Sequence, residues 1–436
     1  MTQPTASDAS TAAGSRFAII FIFVTVLLNM IGLGVIMPVM PQLIQSVTGK
    51  DLANAAHWGG YLTFAYAAMQ FIMMPIVGGL SDRFGRRPVL LTSLGAYAFD
   101  FFIMAIAPTI GIILIARLLA GAFAATFSTA NAYIADITPP EKRAANFGLL
   151  GAAFGLGFII GPAIGGFFGE YYGPRAPFFF VAGLGAINFF FGLFVVPETL
   201  PQKDRRPFEW SRANAFGNFK QLQKYPVMVP VAGTIFLYQL AHWSFPSVWS
   251  YFAEERFQWS PGQIGTSLMF VGFTAALVQG GLTRIIVPKI GERAAALTGT
   301  TIAFISYFGF AFASTGTAVY ALIAFSALAG ITQPALQGIM SRTVPPNAQG
   351  ELQGAIAAIA SFSMVISPLM MTQIFSAFSA PDKPFTIFGT TISKTGLGVY
   401  FPGAPFFFSG LIVMFAFIPL IAAFRLIERP RPTESV

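Results

Sequence analysis

Two charged residues stand in an otherwise uncharged apolar stretch, YAFDFFIMAIAPTIGIILIARLLAG, in which Asp100 and Arg117 lie almost equally far from the turn signal Pro108-Thr109. A carboxylate and a guanidinium in apolar surroundings are costly unless paired or hydrated. If the chain reverses at Pro108, the two reach similar depth on adjacent helices. Two chemistries then fit: a permanent ion pair that fixes the helices, or an Asp100 that gains and loses a proton while Arg117 tunes it. His242, in YQLAHWSFP, is a third group able to exchange a proton near neutral pH, with hydrogen-bonded packing as its other reading.

The elements that must position these groups follow from composition. The 436 residues are 55% hydrophobic and only 10% charged, with 49 Phe and 44 Gly, which excludes an ordinary soluble domain. Apolar runs reach or exceed the roughly 20 residues that cross a bilayer as a helix. Cutting them at charges, prolines and glycine-rich turns predicts twelve spans, starting near Phe17, Trp58, Val89, Ile110, Ala144, Ala176, Pro226, Ile264, Ala294, Thr317, Leu352 and Tyr400. With loops alternating between two sides, most of the 25 Lys and Arg residues fall on one side. That side is cytoplasmic by the positive-inside rule, so both termini are expected there, and the net charge of +8 needs no nucleic acid to explain it.

The expected organisation is a disordered cytoplasmic tail over 1–16, a six-helix half over 17–197, a cytoplasmic linker over 198–225, a second six-helix half over 226–425 and a short tail over 426–436. The halves echo each other: TPPEKRAANFGLLGAAFGLGFIIGP from Thr138 aligns without gaps on VPPNAQGELQGAIAAIASFSMVISP from Val344, and GGLSDRFGRR from Gly78 corresponds to GGLTRIIVPKIGER from Gly280. Duplicated halves with a site between them suit alternating access. There is no phosphate-binding GxxxxGK[ST], no GxSxG nucleophile motif, no Cys, and only His57 and His242, far apart, for a metal. An enzyme, a metal site and a cofactor are therefore not expected, and any uphill work has to draw on an ion gradient.

Gly78, Asp82, Arg83, Gly85, Arg86 and Arg87 in GGLSDRFGRR resemble the signature between the second and third helices of the major facilitator superfamily. There the glycines permit a tight turn, the arginines hold the loop in the cytoplasm, and Asp82 can accept hydrogen bonds from an arginine or a neighbouring helix N-terminus, as a latch made in one transport state and broken in the other. Gly157, Gly161, Pro162, Gly165 and Gly166 in GLLGAAFGLGFIIGPAIGG are similar to the glycine-proline signature of that superfamily's antiporters. LGVIMPVMP from Leu33, SDRFGRRPVLLTSLGAYAFD from Ser81 and PALQGIMS from Pro334 resemble its tetracycline/proton antiporter branch. The resemblance covers nearly all twelve spans. It implies an all-helical fold of two pseudo-symmetric six-helix halves, and a monomeric, proton-driven efflux protein of the bacterial inner membrane acting on a small molecule. It also places Arg117 where the superfamily's coupling arginine is found.

The chain departs from that branch at Asn29, Ala275 and Ala303, which occupy positions where the branch carries an acid, a histidine and an acid. Proton coupling and tetracycline itself are the expectations this puts in question, with an endogenous or lipid-like substrate as the alternative. Polar side chains at helical spacing, Thr25 with Asn29, Ser128 with Asn131, Gln239 with His242, and Gln333 with Gln337, are the candidates for lining a cavity for an amphipathic molecule, and helix-helix hydrogen bonding is their other reading. Asp136, in YIADITPPEKR, is expected to pair with Lys142 or Arg143.

Overall fold

The computed structural model describes residues 6–124, 126–210, 227–345, 349–379, 385–387, 390–392 and 400–428. Most of the linker and of the C-terminal tail expected from the sequence lie outside these residues. The described chain is almost entirely helical: α1 Ala6–Thr48, α2 Leu52–Phe84, α3 Arg86–Ile106, α4 Ile110–Ala122, α5 Thr126–Ile137, α6 Pro140–Tyr172 and α7 Ala176–Val195, then α8 Met228–His242, α9 Ser244–Phe257, α10 Pro261–Leu277, α11 Thr283–Phe312, α12 Gly316–Ala327, α13 Thr332–Thr343, α14 Gln349–Ser379 and α15 Ala404–Glu428. A two-stranded antiparallel ribbon, Phe385–Ile387 with Thr390–Ile392, lies between α14 and α15. Helix α1 begins at Ala6, inside the stretch expected as a tail.

Ten helical segments among the described residues are long and apolar enough to cross a membrane. One of them, Pro261–Phe312, holds both the eighth and the ninth expected spans, and Gly291 at φ 80°, ψ 158° breaks the helix between them. The seventh expected span is carried by α8 and α9, of 15 and 14 residues, which follow one another across Trp243. Each alone is shorter than the roughly 20 residues a bilayer requires. The outward faces are apolar, as lipid demands: Phe194 is 81% exposed, and Ile115 and Ile187 are also open.

Two compact units divide the chain. The first comprises Met1–Gly49, Ala65–Asn214 and Ser260–Met269; the second comprises Lys50–Phe64, Ala215–Trp259 and Phe270–Val436. They differ from the expected halves by two segments, the start of α2 and the start of α10. Within the first unit α1 runs along α6 and α3 along α7. Within the second, α8 and α9 run along α14, and α11 along α15. The pairing of first with fifth span and third with sixth thus recurs as seventh with eleventh and ninth with twelfth, in keeping with the sequence echoes.

The seam between α1 and α6 explains the glycine-proline motif. A Cβ on Gly161 would stand 2.6 Å from the Ile31 carbonyl oxygen and 2.9 Å from the Gly34 Cα, while Gly157 and Gly165 face Leu27 and Val35 of α1 in the same way. Gly166 looks elsewhere, toward Pro261 and Gly265 at the start of α10, and Pro162 packs on Gly34. Small residues let backbones meet, which is how helices associate where no hydrophobic force separates protein from lipid. In the second unit the start of α2 is held by a reciprocal pair: His57 Nδ1 lies 2.5 Å from Gln373 Oε1, and Gln373 Nε2 donates to the His57 carbonyl at 3.1 Å.

Candidate functional site

Asp100 and Arg117 meet as the turn at Pro108 predicts. Asp100 is 2% exposed and Arg117 7%. Arg117 Nε donates to Asp100 Oδ1 at 3.1 Å and Nη2 pairs with Oδ2, so the carboxylate is gripped on both oxygens. Two rings face the guanidinium: Tyr66 of α2 at 5.1 Å and Phe101 at 5.9 Å. Tyr97, ring to ring with Phe101 at 4.8 Å, donates its hydroxyl to the Leu28 carbonyl at 2.6 Å and so ties α3 to α1. The pair is therefore built into four helices, α3 and α4 directly, α2 through Tyr66 and α1 through Tyr97. A groove of about 520 Å³ lined by α3, α4 and Phe189 of α7 reaches Asp100 from the side of the exposed Phe99, Leu119 and Phe123. None of the polar cavity candidates lines it.

The loop from α2 to α3 forms a charged cluster. Arg86 Nη1 pairs with Asp82 Oδ1 at 2.6 Å and donates to Ser81 Oγ at 3.2 Å, while its Nε reaches Asp136 Oδ2 at 3.2 Å. Asp82 thus has the arginine as its partner, the first of the two options open from the sequence. Asp136 does not pair as expected. It is joined to Arg86, whereas Arg143 turns back to the carbonyls of Thr138 and Ala135. The ends of α2 and α5 and the start of α3 converge there, which sequence proximity to Lys142 and Arg143 does not reveal. Arg87 donates to the Leu193 carbonyl, and Arg83 is exposed, its guanidinium 5.2 Å from the Phe84 ring. Gly78 has open space around its Cα, while Gly85 sits at φ 108°, a conformation L side chains rarely adopt.

One acid that the sequence reading passed over completes the cluster. Glu198, just after α7, accepts from the Arg86 and Arg87 amides at 2.9 and 3.2 Å. Its signal was present in PETLP, an acid directly behind an apolar run, but nothing in the sequence says that the ends of α7 and α2 meet.

The cavity candidates fall in different surroundings. Thr25 is fully buried and accepts from Asn188 of α7 at 2.9 Å, which is helix-helix bonding. Asn131 donates to the Phe127 carbonyl of its own helix at 2.8 Å. Asn29 and Ser128 are half-buried in the first unit; Gln239, Gln333 and Gln337 are half-buried in the second. Gln333 Oε1 is buried without a hydrogen-bond partner. His242 is exposed, its ring parallel to Tyr238 within 8° at 6.4 Å. Among the described residues no group of His, Cys, Asp and Glu could hold a metal ion.

The Asp82–Arg86 pair yields a first expected result. The Asp82 side chain is 44% exposed and that of Arg86 14%, and Arg86 keeps Asp136 and Ser81 as partners, so Asp82→Asn should cost only about 1 kcal/mol of stability. Turnover should nevertheless fall several-fold, because Arg86 loses one of its anchors at the helix end. Thermal unfolding and transport measured on the same preparation check this; unchanged turnover would reject the latch.

A helical chain with ten described segments long and apolar enough to cross a membrane, a buried ion pair inside one unit and a charged loop beside the end of α5 is built to sit in a bilayer. The comparisons agree. Residues 22–368 match the profile described as Major Facilitator Superfamily, and the chain belongs to that superfamily. It is 38% identical over 363 residues to the class C tetracycline resistance protein of Escherichia coli, covering 83% of this chain and 91% of that one. It is also 38% identical over 355 residues to the class B protein of the same organism, covering 81% and 87%. Among solved structures, an inward-facing, unoccupied bacterial homologue of the human lysosomal transporter Spinster superposes with a TM-score of 0.75 at 16% identity, covering 96% of this chain and 99% of that one. The protein is thus a multi-pass membrane protein of the major facilitator fold and a secondary transporter, not an enzyme.

Proposed function

We propose that the chain exports a hydrophobic or amphipathic drug-like molecule from the cytoplasm of a bacterium across the inner membrane, as a monomer, by alternating access coupled to protons, with both termini cytoplasmic. The observation that carries the export reading is the 38% identity to the class C tetracycline resistance protein over 91% of that protein's length. Tetracycline is accordingly the first substrate to try. Proton coupling rests on the buried Asp100, the acid in the first unit that is surrounded by protein and still gripped by a single side chain. For a proton to bind, Arg117 has to let go. Its contacts with Tyr66 and Phe101 give the cation somewhere to stay when it does.

A second reading, an endogenous or lipid-like substrate moved with altered or no proton coupling, is favoured by one specific observation. Asn29, Ala275 and Ala303 stand where the resembled branch has ionisable groups, and Ala303 is buried, 4% exposed. A screen in liposomes, with and without a pH gradient, separates the two readings. Gradient-driven movement of tetracycline supports the first, and gradient-independent movement of lipid-like compounds supports the second.

Asn29 offers a direct probe. An amide does not exchange protons at physiological pH. Asn29→Asp introduces a titrating group on a half-buried face of α1 and should move the pH profile of transport by about one unit. Asn29→Ala should weaken substrate affinity by about fivefold, one hydrogen bond's worth, with little change in proton movement. Paired substrate and proton flux for the three proteins is the measurement; identical profiles and affinities would leave Asn29 a packing residue.

A further inference from the structure

The first residues of the linker are folded onto the latch loop. Glu198 Oε1 accepts from three backbone amides, Arg86 at 2.9 Å, Thr199 at 2.9 Å and Leu200 at 3.0 Å, and Oε2 accepts from Arg87 at 3.2 Å. One carboxylate thereby closes the linker's first turn and caps α3, whose opening amides have no partner within the helix. The position is made for it. Gly85 precedes α3 at φ 108°, and a Cβ there would overlap Glu198 Oε2, so the glycine of the loop is needed for the carboxylate as well as for the turn. Further along, Arg205 Nε donates to the Leu200 carbonyl at 3.3 Å and the Arg206 amide donates to the Asp82 carbonyl at 3.2 Å. The Phe208 ring comes to rest against Gly79, about where a Cβ would touch it at 3.0 Å.

These contacts have a mechanical consequence. Any shift of the end of α2 against the start of α3 must either break the Arg206–Asp82 main-chain bond or carry the linker with it. Arg86, whose side chain joins Asp82, Ser81 and Asp136, has its backbone amide fixed by Glu198, so the carboxylate sets where that side chain begins. We propose that Glu198 is the positioning residue of the latch, and that residues 198–208 of the linker are a moving part of it rather than a passive tether. The inference stands on the first unit's geometry and not on which molecule is transported.

Amide hydrogen exchange on the full-length protein tests the clasp without a substrate. Glu198→Ala should speed exchange at Arg86, Arg87, Thr199 and Leu200 by about tenfold, the loss of a protecting hydrogen bond at each, while the middle of α3 is unaffected. Glu198→Gln keeps one acceptor oxygen and should speed Arg87 alone; it also serves if the alanine variant folds poorly. The chain has no native Cys, so Ser81→Cys gives a clean thiol directly under Arg86. Its labelling by a maleimide should accelerate at least severalfold with Glu198→Ala and return near the parent rate with Glu198→Gln. In vesicles given tetracycline, Vmax should fall with Glu198→Ala while KM stays put. Unchanged exchange at the four amides, or faster exchange with unchanged thiol labelling, overturns the proposal. Should the parent protein move no tetracycline, the proposed substrate fails, and the exchange and labelling results still decide the role of Glu198.

Discussion

Asp100→Asn and Arg117→Gln should each lower stability by about 3–5 kcal/mol, the cost of leaving one buried charge without its partner, while the double substitution recovers most of that loss. The reason is geometric. Both carboxylate oxygens are engaged by one guanidinium in a site where each residue is below 10% exposed, so removing either partner strands the other in apolar surroundings. Transport should not recover with folding. If Asp100 carries the proton, the double variant folds yet loses the dependence of transport on the pH gradient. Thermal unfolding together with transport across pH, on the two single variants and the double, reads both effects. A double variant that folds and keeps a normal pH profile would make the pair purely structural and remove Asp100 as the carrier.

Gly161→Val should be among the most damaging single-residue changes in the glycine-proline motif. Its Cβ would press on the Ile31 carbonyl at 2.6 Å and on the Gly34 Cα, both backbone atoms that cannot turn aside as a side chain can. The expected cost is about 3 kcal/mol, at the upper end of what overpacking does, and α1 must move off α6 to relieve it. Gly155→Val, on the same helix where a Cβ meets nothing within 4 Å, is the control and should leave both stability and transport close to the parent. Equal behaviour of the two variants, measured by thermal unfolding in detergent and by transport, would show that the α1–α6 seam is not the purpose of the motif.

What the sequence disclosed and what it withheld divide along a physical line. Asp100 and Arg117 were legible as a pair because Pro108-Thr109 marks the reversal between them and one helical hairpin fixes their depths. The glycine-proline motif was legible as a close helix seam, since spacing along one helix defines a face. The partner of that seam was not, because nothing local says that α6 lies along α1. For the same reason Asp136 was assigned to its near neighbours Lys142 and Arg143, although Arg86 reaches it from fifty residues away. Glu198, and the pairing of His57 with Gln373 across 316 positions, belong to this class as well. Thr25 had two readings from its spacing with Asn29, cavity lining or helix-helix bonding, and its hydroxyl accepts from Asn188 of α7, the second of them. Hydropathy located the apolar segments but not the helix breaks: Gly291 lies within α11, Trp243 between α8 and α9, and the fourth and tenth expected spans are each carried by two helices, α4 with α5 and α12 with α13.

If, as proposed, export draws on protons exchanged at the Asp100–Arg117 pair, drug and proton movement are tied together there. The most direct measurement is simultaneous tetracycline and proton flux in liposomes holding purified protein, for the parent chain and for the Asp100→Asn/Arg117→Gln double variant. The parent should move tetracycline against its gradient with a counterflow of protons, and the folded double variant should let tetracycline only equilibrate, with no proton movement tied to it. Proton-coupled accumulation of tetracycline by the double variant, at the parent's ratio of protons to drug, would contradict it.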